Sequence, residues 1–208
     1  MSFELYNILT SYGDQFAFNI KVNTKKILSE LTQFDNDWAQ YNPRKPVNRY
    51  GLSLTNYDGK LGPGPDLDSL DEYNIEHNVD ISEKDFKVCT PAYNLFKEHF
   101  EPFKEWLFRS HIIKLGPGGF FPQHIDNYGL TIPSFRIIVP LKNCNPMNGY
   151  FLLEDRILNW EYGRLYFMNT CKRHTVFNPS MKDMLFVVLN VELTGKSLHY
   201  FLGSDMIL

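Results

Sequence analysis

SHIIKL at residues 110–115, SFRIIVPL at 134–141, GYFLLE at 149–154, RILNW at 156–160, GRLYFM at 163–168, HTVFN at 174–178 and MLFVVLNVEL at 184–193 are short apolar runs. They are rich in β-branched and aromatic residues and separated by Gly, Pro and Asn. That pattern, with turn signals at short intervals, predicts the strands of an antiparallel sandwich or small barrel, not alternating βαβ units. The whole chain has 208 residues, 43% hydrophobic and 22% charged, which suits one ordinary domain with a real core. Its 17 Phe, 12 Tyr and 3 Trp make it 15% aromatic, and aromatics favour strands and large cores.

Before residue 110 the signal is helical. Thr90-Pro91 pairs a capping hydroxyl with a proline at the first helical position, and apolar residues at Leu95, Phe96, Phe100, Phe103, Trp106 and Leu107 follow near the helical period. The expected helix spans 91–107, kinked or split at Pro102. A second expected helix runs from Asn23 to Phe34, with Ile27, Leu28 and Leu31 on one face. Between 55 and 80 Gly, Pro and Asp cluster, which predicts a long solvated loop bordering a site. Its acids Asp66, Asp68, Asp71 and Glu72 lack the Gly and closing Glu of a calcium loop. The expectation is a mostly β single domain over 1–208. Residues 1–109 would supply helical support and substrate-side loops, and 110–208 the β-barrel core.

The 24 acidic and 21 basic residues give a net charge of -3 without blocks of like sign, so no nucleic-acid footprint is visible. No apolar window approaches membrane-span length and the N-terminus lacks a secretory pattern, so the expected location is cytoplasmic. Cys89, Cys144 and Cys171 form an odd set without a C-x-x-C pair, consistent with reduced thiols.

His124 and Asp126, in KLGPGGFFPQHIDNYGL, stand two apart, and on an extended strand residues i and i+2 project from the same face. An imidazole and a carboxylate there would aim at one point. A third donor is available in His174, fifty residues on, far enough for about four strands to cross a barrel and return. Two His and one carboxylate leave coordination positions open, the ligand set of non-haem Fe(II) oxygenases. Gly116, Gly118 and Gly119 read as the turn feeding this strand, since a phosphate loop would need a following Lys and Ser/Thr. His77, His111 and His199 have no partner at metal-like spacing and read as structural.

The order G-P-G-G, H-I-D, F-R-I-I-V-P-L, G-R-L-Y-F-M-N, K-R-H-T-V-F-N over residues 110–192 resembles the Fe(II)- and 2-oxoglutarate-dependent dioxygenases, in particular their aspartyl/asparaginyl β-hydroxylase-like branch, which includes proline hydroxylases. Gly163, Asn169 and His174 fit that branch's spacing without a gap. The resemblance implies a double-stranded β-helix of the jelly-roll or cupin-like kind, with His124, Asp126 and His174 as iron ligands. It also implies oxidation of an unactivated C–H bond by dioxygen, coupled to decarboxylation of 2-oxoglutarate.

The far carboxylate of 2-oxoglutarate needs a cation. Many relatives place an Arg about ten residues after the second His, but Met184 stands there in this chain, with Lys182 the nearest cation. Arg136 matches instead the branch's R-x-x-x-P-L arginine and is the leading candidate. Asn169 and Asn178 are candidates to orient a ligand or bond the cosubstrate, or to serve turns. Arg49 and Arg164 are candidates for a substrate carboxylate, and Tyr128 for the pocket wall. The substrate would be an amino acid, a peptide side chain or a small metabolite, approaching from the side roofed by residues 41–75. Two other readings stay open: a cupin-like metal enzyme without 2-oxoglutarate, and a β-barrel binding module without catalysis. The direction of the Arg136 guanidinium discriminates among them.

Overall fold

The computed structural model describes residues 2–203. In chain order the helices are α1 (Ser2–Ser11), α2 (Thr24–Glu30), α3 (Leu70–His77), α4 (Lys97–Phe100) and α5 (Gly195–Leu202). The strands are β1 (Gln15–Lys21), β2 (Ala39–Gln40), β3 (Arg49–Asn56), β4 (Val88–Cys89), β5 (Ser110–Leu115), β6 (Phe120–His124), β7 (Ser134–Lys142), β8 (Tyr150–Leu153), β9 (Arg156–Ile157), β10 (Arg164–Met168), β11 (His174–Phe177) and β12 (Met184–Glu192). They form two antiparallel sheets. The large one runs β1-β10-β7-β12-β5-β3-β2, with β4 also on β3, and the small one runs β6-β11-β8-β9. From β5 onward the chain passes repeatedly from one sheet to the other, which is the winding of a double-stranded β-helix.

β12 shows why its sequence is almost unbroken in apolar residues. Met184, Phe186 and Val188 point between the sheets, where they meet Ile113, Ile138, Phe151 and Val176. The alternate residues Leu185, Val187, Leu189 and Val191 point the other way, into a second core under the helices with Phe96, Phe100 and Phe103. A strand buried on both faces loses the polar half of the usual alternation. Each buried Phe or Leu here contributes roughly 1.5–3 kcal/mol of transfer free energy.

The N-terminal part differs from expectation in four places. Residues 91–107 do not make one helix: 3-10 turns at Pro91–Leu95 and Glu101–Trp106 flank the short α4. Pro102 opens the last piece, and Phe103 leaves helical geometry at φ -124, ψ 15. The apolar face survives these breaks, with Leu95, Phe96, Phe100 and Phe103 all buried. Second, β3 lies inside the large sheet, beside β5, although its sequence RYGLSLTN carries a weak strand signal. Only Leu52 and Leu54 join the helix-side core, while Arg49, Gly51, Ser53 and Thr55 alternate with them on the other face.

Third, α3 lies within the expected loop 55–80. It buries none of its residues, so no apolar period could announce it. Fourth, the acids before it are not solvated as expected. Asp66 is 2% exposed and accepts from the Ser53 hydroxyl, and Asp68 pairs with Arg44. The Asn23–Phe34 expectation corresponds to α2 followed by a 3-10 turn, Leu31–Phe34, with the Asn23 side chain accepting from the Lys26 N–H at 3.1 Å. Among the described residues, no helix is long and apolar enough to cross a membrane.

Candidate metal centre

The turn before β6 works as its glycines suggest. Gly118 sits at φ +72, and a Cβ on Gly119 would lie 2.2 Å from the Asn48 carbonyl oxygen. Asn178, just after β11, donates its amide to the carbonyls of Leu115, Gly116 and Lys182 at 2.7–3.1 Å, so its amide is engaged in holding this turn. β6 and β11 then pair with His124 directly opposite His174. β6 ends at His124, so Asp126 is not on the strand with it, contrary to the i, i+2 argument. Its position comes instead from a backbone bond, Asp126 N–H to the Thr170 carbonyl at 2.8 Å.

His124, Asp126 and His174 thus offer one donor atom each, all within 4.8 Å of one another. The imidazole tautomers follow from their backbone partners. Nδ1 of His124 lies 2.7 Å from the Pro122 carbonyl and Nδ1 of His174 lies 3.0 Å from that of Lys172. A carbonyl only accepts, so both Nδ1 atoms carry a proton, which leaves Nε2 as the atom each ring can offer to a metal. Each Nε2 lies 3.6 Å from one Asp126 carboxylate oxygen. Burial pushes the His174 pKa down to about 4, which keeps it neutral and able to ligate. Burial pushes the Asp126 carboxyl up, but Arg136, His174 and His124 together outweigh it and hold the pKa below its ordinary value. The donor set, two imidazoles and an ionised carboxylate on one side of a cavity, fits a divalent transition metal with open positions.

The cavity has a volume of about 370 Å³ and runs between the two sheets. Arg136 points into it, but its Nη1 donates to Asp126 Oδ2 at 2.6 Å and its Nε to Asn190 Oδ1 at 3.1 Å. It is ion-paired to Asp126, not the free cation expected. Tyr128 lines the cavity, its ring 4.3 Å from the Arg136 guanidinium carbon. The Tyr128 hydroxyl donates to Glu83 at 3.1 Å and accepts from Asn190 at 3.1 Å, and Glu83 pairs with Arg109 at 3.2 Å. Arg49 also lines the cavity and is 3% exposed, not solvated on the surface.

Three other candidates lie outside the cavity lining. Asn169 accepts from the Tyr6 hydroxyl at 3.0 Å and donates to Asp14 at 2.9 Å, tying α1 to the turn before His174. Arg164 pairs with Glu161 at 3.1 Å. Lys182 is exposed in the turn before β12. Sequence reasoning missed Glu83, Arg109, His111 and Asn190. Asn190 carried a usable signal, a polar residue inside an otherwise apolar run, the same feature that singled out Arg136.

No protein-family model matches the chain, and no curated protein matches it by sequence. Solved structures of similar shape include a Pseudomonas putida prolyl-4-hydroxylase, at 10% identity and TM-score 0.49, covering 94% of this chain and 100% of that one. A 2OG-Fe(II) oxygenase family oxidoreductase from Burkholderia pseudomallei matches at 13% identity and TM-score 0.42, covering 80% of this chain and 79% of that one. A cupin domain from Bordetella pertussis Tohama I matches at 18% identity and TM-score 0.33, covering 42% of this chain and 83% of that one. The fold itself, a jelly-roll β-helix with a candidate metal triad at one end of its cavity, is read from the strand order and register above.

Proposed function

We propose that this protein is an Fe(II)- and 2-oxoglutarate-dependent oxygenase that hydroxylates an amino acid, a peptide side chain or a small metabolite. The observation that carries the reading is the convergence of His124, Asp126 and His174 at one side of a cavity, which would leave the remaining positions of a bound metal open. Iron held there would supply activation of dioxygen, with 2-oxoglutarate as the source of the second electron pair. The chain's own residues do the positioning. The backbone carbonyls of Pro122 and Lys172 fix both imidazoles, and Arg136 holds the second oxygen of Asp126 and keeps it ionised. Phe121, Ile138, Phe151, Phe186 and Val188 keep the cavity dry, as an oxidising reaction requires. Tyr41, Asn42, Lys45, Asp68 and Ser69 line one side, which gives the substrate its approach.

One observation favours the alternative of a cupin-like metal enzyme without 2-oxoglutarate: Arg136, the leading cation for the cosubstrate, is already neutralised by Asp126. Anaerobic addition of Fe(II) and then 2-oxoglutarate decides between them through the weak visible charge-transfer band of the chelate. The oxygenase reading expects the band in wild type and in the distant control Asp80→Ala, and its loss in Asp126→Ala. A wild-type protein that binds Fe(II) but gives no band is not a 2-oxoglutarate enzyme.

A further inference from the structure

Three arginines line the cavity, and they are not alike. Arg109 holds Glu83 and Arg136 holds Asp126. Arg49 has no ion pair with any described residue, although it is 3% exposed. Its Nε donates to the Tyr41 carbonyl at 3.4 Å and its Nη1 to the Phe120 carbonyl at 3.2 Å, while its guanidinium carbon lies 4.3 Å from the Phe121 ring and 5.3 Å from that of Tyr41. Those contacts satisfy N–H groups and hold the plane in place, but they do not neutralise a group that stays charged in proteins. An unpaired buried charge is costly, and its retention beside an open cavity points to an anion that arrives from outside. Several other polar atoms lining the cavity lack a hydrogen-bond partner within the protein, among them Asn42 Oδ1, Thr170 Oγ1 and Nδ1 of the buried His111, whose ring lies 5.2 Å from Tyr41.

The placement of Arg49 agrees with this. It stands opposite Leu115 on β5, and Leu115 stands opposite Met184 on β12, so the three share one level of the large sheet. Through Phe120 the guanidinium also reaches the small sheet. We propose that Arg49 is the anion-binding arm of the cavity, taking the far carboxylate of a dicarboxylate whose other end lies at His124, Asp126 and His174. Resting on the function proposed above, that ligand is 2-oxoglutarate, and its anchor comes from β3 in place of the arginine that Met184 displaces.

The test is anaerobic binding to the Fe(II) protein, followed by calorimetry and by the charge-transfer band, with 2-oxoglutarate compared against 2-oxobutyrate, which keeps the chelating end and lacks the far carboxylate. Losing one charge-assisted, bidentate contact weakens binding by about 50-fold. Arg49→Gln is therefore expected to bind 2-oxoglutarate about 50-fold more weakly, with 2-oxobutyrate and Fe(II) binding unchanged. Equal affinity of wild type and Arg49→Gln for 2-oxoglutarate overturns the assignment and leaves Arg49 as a clasp between β3 and β6. If Arg49→Gln does not fold, Arg49→Lys carries the test, because it keeps the charge but not the planar fork. Selective weakening toward 2-oxoglutarate supports the proposal, and no change toward either acid overturns it. A wild type that gives no band with either acid instead overturns the 2-oxoglutarate reading, and this ligand with it.

Discussion

The two charged regions of the cavity are built on opposite principles. Around Asp126 every charge has its counterpart: Asp126 with Arg136, Glu83 with Arg109, and Asn190 and Tyr128 bonded between them. Arg49 is just as buried, yet it has no acid among the described residues. Paired charges hold a geometry that exists before any ligand arrives. Unpaired ones mark where a ligand completes the electrostatics. Removing a member of the first set should damage the fold, and removing a member of the second should barely touch it.

Asp126→Ala is the harshest way to break the paired region. It takes away a proposed metal ligand and strands Arg136, so Fe(II) affinity should fall about 100-fold in a calorimetric titration. Stability in urea should fall by about 3–5 kcal/mol. Adding Arg136→Met should recover most of the stability and none of the metal affinity, which separates the two losses. Glu83→Gln comes next. It leaves Arg109 buried without an acid, for an expected loss of about 3 kcal/mol in the same denaturation experiment. A loss under about 1 kcal/mol would show that the network is solvated and that the comparison is drawn too sharply.

Proton linkage gives a third, smaller effect. His111 is held well below its ordinary pKa by burial and by Arg109 and Arg136, and burial lowers His174 to about 4. A depressed histidine binds its proton less readily folded than unfolded, so it contributes nothing above the ordinary value near 6.5 and destabilises the fold as pH drops below it. Metal-free protein should therefore lose stability from pH 6.5 downward, the His174 part levelling off near pH 4. His111→Phe should reduce the slope by about 1.4 kcal/mol per pH unit. A slope that does not change would mean that His111 titrates normally. The smallest effect is expected where the charge is unpaired: Arg49→Gln should change urea stability by no more than about 1 kcal/mol, and a loss of 3 kcal/mol would make Arg49 a structural residue like Arg136.

Much of this arrangement is readable in the sequence, but unevenly. The strands after residue 110 carry their period openly because one or both faces are apolar, and H-x-D with a later His stands out against them. β3 does not, because Arg49, Gly51, Ser53 and Thr55 fill alternate positions and leave only two leucines to signal a strand. Glu83 is harder still. It comes from a 3-10 turn at Glu83–Asp85 in a polar stretch, and only the folded chain brings it against Arg109 and Tyr128. The expected anchoring role of Arg136 followed from its apolar strand, where a guanidinium demands an anion. The demand was correctly read, but the anion is Asp126, a carboxylate already identified for another purpose.

The position of β12 bears on how this chain is made. It lies between β7 and β5, so the large sheet without it falls into β1-β10-β7 on one side and β5 with β3, β2 and β4 on the other. Residues 184–192 leave the ribosome long after Phe96, Phe100 and Phe103, which they cover. Until then a nascent chain has an incomplete sheet and exposed aromatics, a state prone to aggregation and a natural client for chaperones. Long-range strand pairing of this kind is slow. A chain stopped before residue 184 should accumulate as insoluble material.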